Sequence, residues 1–222
     1  MVCWFDFLMD KIFTAENHHE VLPFWADYRR NGGEMPVVLT IDHHTDVVRA
    51  FRDDSRIVSP GAWSDAESVQ RAVEELKHDE HFDWAVRTGL IKSAYIASHT
   101  CATTPANEAL HICCDPAWPD ENVFFQDTET YRKLADSVLE SDYLYRQFGE
   151  IEQYGKFIFD IDCDYILTAG ALAPEDDSYF QMLLAKAEIV TISLERDWVR
   201  LLKFRSEAIT SEMIAESISR RL

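Results

Sequence analysis

Short apolar runs, each about one strand long, recur along this chain with helical patterns between them, and that alternation limits its fold more than any other feature. The runs cover residues 37–41, 93–97, 109–113, 156–161 and 189–193. Helical patterns are predicted over 20–30, over 65–77 with Ser64 and Glu67 placed as a capping box, over 82–88 with Gly89 as its stop, over 130–148, over 176–186 and over much of 196–221. Strands that alternate with helices pair in parallel through crossover connections. The expected fold class is therefore α/β, a three-layer sandwich with a mainly parallel central sheet. At 222 residues, with no internal repeat and with turn-rich stretches such as 31–33 and 115–120 between the periodic segments, one domain over 1–222 is expected.

Two of these runs end in metal-binding side chains. The run 37–41 leads into Asp42-His43-His44-Thr45-Asp46, and the run from 156 leads into Asp160-Ile161-Asp162. In an extended chain, residues at i, i+2 and i+4 share one side, so Asp42, His44 and Asp46 point together while His43 and Thr45 face away. The same period joins Asp160 to Asp162 and turns Ile161 into the core. Ligands of open α/β folds bind beyond the carboxyl ends of the strands, where both segments lie. Four carboxylates packed together repel one another unless cations compensate them. The set is rich in oxygen, contains imidazole and lacks thiolate, which suits manganese better than a structural zinc. It also holds more acidic oxygens than one ion needs. Two bridged ions can activate water for hydrolysis.

Charge narrows the choice of partner. Forty acidic against 21 basic residues give a formal charge of −19, a field that repels nucleic acid and anionic membrane and draws in cations and basic peptides. The same excess also serves solubility. An odd set of five cysteines (Cys3, Cys101, Cys113, Cys114 and Cys163) argues against a disulfide framework and for a reducing cytoplasm. Residues 1–10 lack the basic cluster of a signal peptide, and no apolar run is long enough to span a bilayer.

With these residues in view, the chain resembles the ureohydrolase superfamily of arginases and agmatinases, whose motifs read D-x-H-x-D and, later, D-x-D at strand ends. The stretch from Glu16 to Trp25, with Glu16-Asn17-His18-His19-Glu20 at its head, is more specifically similar to a small branch that includes the peptide arginases. The branch opens E-D-H-N-E, so Asn17 and His19 depart from it, and the further ligand is His18 or, in its place, His19. The resemblance implies one ion on His18 and Asp46 and another on His44 and Asp162, with Asp42 and Asp160 bridging and Asp46 taking the proton of the attacking hydroxide. Asp164 supports the site from behind or serves an ordinary turn. The stretch His78-Asp79-Glu80-His81-Phe82-Asp83-Trp84-Ala85 resembles the family's H-G-x-P-F-x-x-A, with the glycine and proline missing; it offers His78 as proton shuttle and His81 as its competitor. Where the family carries a substrate-clamping glutamate on the last strand, this chain has Thr191; Glu195 lies slightly further on, in reach of substrate or at a helix start.

The resemblance thus implies an arginase/deacetylase-like fold. It also implies a binuclear manganese enzyme, two Mn2+ per chain, that converts arginine side chains of a ribosomally made precursor peptide to ornithine and urea. The chain is short for an enzyme of free arginine, which implies an open pocket mouth. A small-molecule ureohydrolase, a one-metal deacetylase-like amidase and a non-catalytic protein that holds a basic peptide are the alternatives.

Overall fold

The structure is a computed structural model that describes residues 11–52, 58–100, 103–118 and 128–221. The reading of residues 1–10, Cys3 and Cys101 among the five cysteines, and positions 119–120 of the predicted turn lie outside the described residues.

Among the described residues six strands form one sheet in the order β1-β6-β5-β2-β3-β4, every pair parallel. They are β1 (Ile12–Ala15), β2 (Val37–Asp42), β3 (Ser93–Ser98), β4 (Leu110–Cys114), β5 (Phe157–Asp162) and β6 (Val190–Ser193). The near-continuous apolar runs become the strands, as a sheet covered on both faces requires. Helices α1 (Leu22–Arg30), α2 (Ala66–Glu75) and α3 (His81–Thr88) cover one face, where Trp25, Val69 and Phe82 meet Val38, Ile96 and Ile158. Helices α4 (Glu129–Asp136), α5 (Ser141–Phe148), α6 (Ser178–Lys186), α7 (Arg196–Leu202) and α8 (Ser211–Ser219) cover the other, where Leu144, Phe180 and Ile214 meet Leu39, Phe159 and Ile161. The architecture is an α/β sandwich with its sheet in the middle.

Several local expectations change. Strand β1 was not predicted; only Ala15 of its four residues is buried, so no apolar run marks it. The helix expected over 130–148 is two helices, and so is the one over 196–221. The cap of α2 is Asp65, whose carboxylate accepts from Ser68 N at 2.8 Å, rather than Ser64, whose hydroxyl turns back to Gly61 O. Cys113 and Cys163 are free, but Cys114 is disulfide-bonded, against the expectation of thiols throughout. No helix among the described residues is long and apolar enough to cross a membrane.

The strand order explains where a site belongs. From β2 the chain proceeds outward through β3 and β4, whereas β5 and β6 lie on the other side of β2. The connections therefore diverge between β2 and β5, and the crevice beyond their carboxyl ends is the topological switch point. Asp42 ends β2 and Asp162 ends β5.

Candidate metal centre

Strand register builds the floor of the site. Thr40, Asp160 and Thr191 stand in one row across β2, β5 and β6, and in a parallel sheet residues in register project to the same face. Asp160 is thereby held from both sides: Thr40 Oγ1 donates to Oδ2 at 2.9 Å and Thr191 Oγ1 donates to Oδ1. Trp25 Nε1 donates in turn to Thr191 Oγ1 at 3.2 Å. Thr191 is fully buried and faces the aspartate, so its hydroxyl is spent on the floor and does not open towards a substrate.

His18 occupies the centre. It opens the 3-10 turn His18–Val21 that precedes α1, with Nε2 2.7 Å from Asp160 Oδ2 and Nδ1 3.1, 3.2 and 3.4 Å from Oδ2 of Asp46, Asp162 and Asp42. The sequence left His18 and His19 open; the structure brings His18 into the carboxylates, and His19 is absent from every cluster of candidate ligands found among the described residues. Glu195 fixes this turn: its Oε1 accepts from His18 N at 2.7 Å, and its backbone adopts the left-handed conformation with φ 39°. Buried and bonded in this way, Glu195 positions His18.

The D-x-H-x-D segment meets the site by a route other than the extended one expected. Strand β2 ends at Asp42, and Asp46 lies at φ 48°, a left-handed conformation that aspartate tolerates better than most residues. The turn still delivers the Asp46 carboxylate to His18. His44 takes a different partner from the one the resemblance implies: its Nδ1 is 3.1 Å from Asp164 Oδ2 and 3.8 Å from Asp42 Oδ1. Asp164 also accepts from His43 N at 3.2 Å, while Asp162 turns to His18 and, through Oδ1, to Asp164 N. His43 packs its ring against those of His99 and His44, and it belongs to none of the clusters of candidate ligands among the described residues.

The two shuttle candidates separate. His81 is fully buried at the start of α3, with Nδ1 3.2 Å from His78 O and 3.8 Å from Asp46 Oδ2, and its ring lies 4.4 Å from that of His18. His78 is exposed, 6.2 Å by ring centroid from Trp198.

Asp42, Asp46, Asp160, Asp162 and Asp164 are all 6% exposed or less, and two unit charges 4 Å apart repel by about 4 kcal/mol at an effective dielectric constant of 20. Burial, reinforced by the Asp46 charge, pushes the Asp42 carboxyl up to about 7, and burial with Asp164 beside it lifts Asp162 well above the carboxylate range. Burial works against a charged His18 ring, yet Asp160, Asp42 and Asp46 outweigh it and hold its pKa well above the usual value. For His44 burial is likewise outweighed, chiefly by Asp164, and its pKa rises to about 9. At His81 burial, with His18 adjacent, depresses the pKa strongly.

This donor set fits divalent cations. Nε2 of His81 is buried with no hydrogen-bond partner, the state of an atom that awaits a ligand, while Oδ2 of Asp42 and of Asp164 each meet an imidazole Nδ1, of His18 at 3.4 Å and of His44 at 3.1 Å, and keep a further lone pair for a cation. Three groups each bring their donor atoms within 4.8 Å of one another: His18, Asp46 and His81; His18, Asp42 and Asp162; Asp42, His44 and Asp164. Asp42 and His18 each belong to two of them, so the groups form one connected centre.

No family model matches the chain, and no curated protein matches it. Among solved structures it is similar to proclavaminate amidino hydrolase from Streptomyces clavuligerus, at 15% identity with a TM-score of 0.47, over 95% of this chain and 61% of that one. The chain thus spans less than two thirds of that enzyme's length.

Sequence reasoning passed over Thr40, Trp25 and Trp198. Thr40 had a readable signal, since it precedes Asp42 by two and so shares its side of the strand. The other two depend on tertiary placement.

Proposed function

We propose that the chain is a manganese-dependent hydrolase that removes the amidino carbon of arginine side chains within a peptide, yielding urea and ornithine. The observation that carries this reading is the convergence of Asp42, His44, Asp46, Asp160 and Asp162 with His18 at the switch point of the sheet. The resemblance of the Glu16–Trp25 stretch to peptide arginases supports the peptide substrate.

His18, Asp42, Asp46 and Asp160 would hold one ion, and Asp42 and His44, with Asp162 or Asp164, the other. Divalent ions bound there supply a water nucleophile at neutral pH and electrostatic stabilisation of the charge that develops on the guanidino group. The chain does the rest. Thr40 and Thr191 fix the Asp160 carboxylate so that it cannot rotate out of the site. Asp46 Oδ2 accepts the proton given up by water, and His81, 3.8 Å from that carboxylate, is the imidazole in reach to pass a proton to the departing amine. The buried wall formed by Trp25 and Phe82 excludes bulk water.

Incubating a short arginine-containing peptide with protein and manganese should lower its mass by about 42 Da per converted residue, the loss of CN2H2 expected of this hydrolysis. Urea released from free arginine or agmatine, with peptides left intact, would move the assignment to a small-molecule ureohydrolase.

A further inference from the structure

The two positions from which the resemblance would clamp a guanidinium are both occupied by internal work. Thr191 is fully buried and donates to Asp160, and Glu195 accepts the backbone N–H of His18. Recognition of a cationic head must therefore come from another part of the wall. The open side is marked by His44, whose side chain is 23% exposed while that of its partner Asp164 is 1% exposed. Against His44, on that open side, stands Trp198 of α7, ring centroids 4.9 Å apart, with exposed His78 at 6.2 Å on the indole's flank. Trp198 is half-buried: part of it packs on the core and part remains open. Helix α7 seats on the turn Cys163–Tyr165, which carries Asp164, so the indole is fixed relative to the carboxylates.

We propose that Trp198 is the specificity-determining wall of this site, its indole face receiving the planar guanidinium of an arginine side chain. The proposal rests on the hydrolase reading above and names that site's substrate contact. An indole is the best aromatic surface for a cation, and guanidinium, flat and weakly hydrated, stacks on it where an ammonium prefers its water shell. Clustered carboxylates below and a π face beside them select together for a cation that is also flat. A neutral urea of the same shape gains little from either.

The test uses the full chain loaded with manganese, whose paramagnetism broadens the resonances of any ligand held near it. The probes are acetyl-Ala-Arg-Ala-amide and its lysine and citrulline counterparts, titrated in the cold before urea accumulates, against wild type, Trp198→Phe and Trp198→Leu, with metal content measured in parallel. Wild type should bind the arginine peptide best and the citrulline peptide worst. Trp198→Leu should bind the arginine peptide about tenfold more weakly, the middle of the range for a cation–π contact, and lose its preference over lysine. Trp198→Phe should recover most of the affinity, and both variants should keep their metal. Equal arginine affinity in wild type and Trp198→Leu overturns the proposal and leaves the hydrolase reading standing. So does a loss of affinity that accompanies lost metal in both variants, which would make Trp198 a prop for His44. Failure of wild type to bind the arginine peptide at all overturns the proposal and the reading beneath it.

Discussion

Single side chains decide how the carboxylates are held. Thr191 links Trp25 Nε1 to Asp160 Oδ1, so Thr191→Val, close in shape but without the hydroxyl, strands both partners in a buried place. It should cost roughly 1–3 kcal/mol in urea unfolding, the penalty for leaving a buried polar group unsatisfied, and weaken manganese binding as Asp160 gains freedom. Asp164 is a second such residue. It lies closest to His44 of the carboxylates paired with that imidazole, whether it touches an ion or orients the ring. Asp164→Asn should therefore weaken binding of the His44-side ion by about 10- to 100-fold, while the ion at His18 stays, as read by isothermal titration. Asp42 and Asp160 stood out because their spacing and strand-end position point to one chemistry, whereas His18 entered only through the resemblance of the Glu16–Trp25 stretch, with His19 left open beside it. The tasks of Thr191 and Glu195 were not legible, because a hydroxyl bonded across strands and a carboxylate bonded to a distant backbone N–H are set by register and turn geometry.

At the scale of elements, the buried parallel strands announced themselves by apolar runs, and β1 escaped because an edge strand of four residues buries too little to leave a pattern. The helix over 130–148 was misjudged for a related reason. Its apolar period continues across the break, but the chain between α4 and α5 turns at Ser137, whose hydroxyl bonds back to Leu134 O. Gly89 was readable, since it ends α3 at φ 77°, where an L side chain is strained. Gly89→Ala should destabilise the chain by about 1 kcal/mol in urea titration, although nothing stands within 4 Å of the added methyl, because the cost is conformational. Phe159, fully buried in β5 one residue before Asp160, carries more: Phe159→Ala should cost about 3–5 kcal/mol and disorder the floor with it.

The whole molecule places an acidic cluster in its interior within a chain of net charge −19, so folding and cation binding are linked. In the metal-free protein Asp42 titrates near 7 rather than at its ordinary 3.8, so above pH 4 the unfolded chain has released a proton that the folded chain still holds. His44, raised from 6.5 to about 9, acts in the same sense: its contribution is present below pH 6.5 and lost as pH climbs through 9. Below pH 6.5 the depressed His81 ring acts in the opposite sense, so the metal-free protein should lose stability as pH rises from about 6.5 to 9, measured as Tm across buffers, and saturating manganese should flatten that slope.

The central claim, a two-ion centre built on Asp42, is tested most directly by counting bound manganese in dialysed protein by plasma mass spectrometry. Two ions per chain in wild type and a loss of both in a folded Asp42→Asn variant are predicted, since Asp42 belongs to the donor groups on both sides of the centre. Wild-type protein that retains no manganese, or an Asp42→Asn variant that keeps the full complement, would contradict the account.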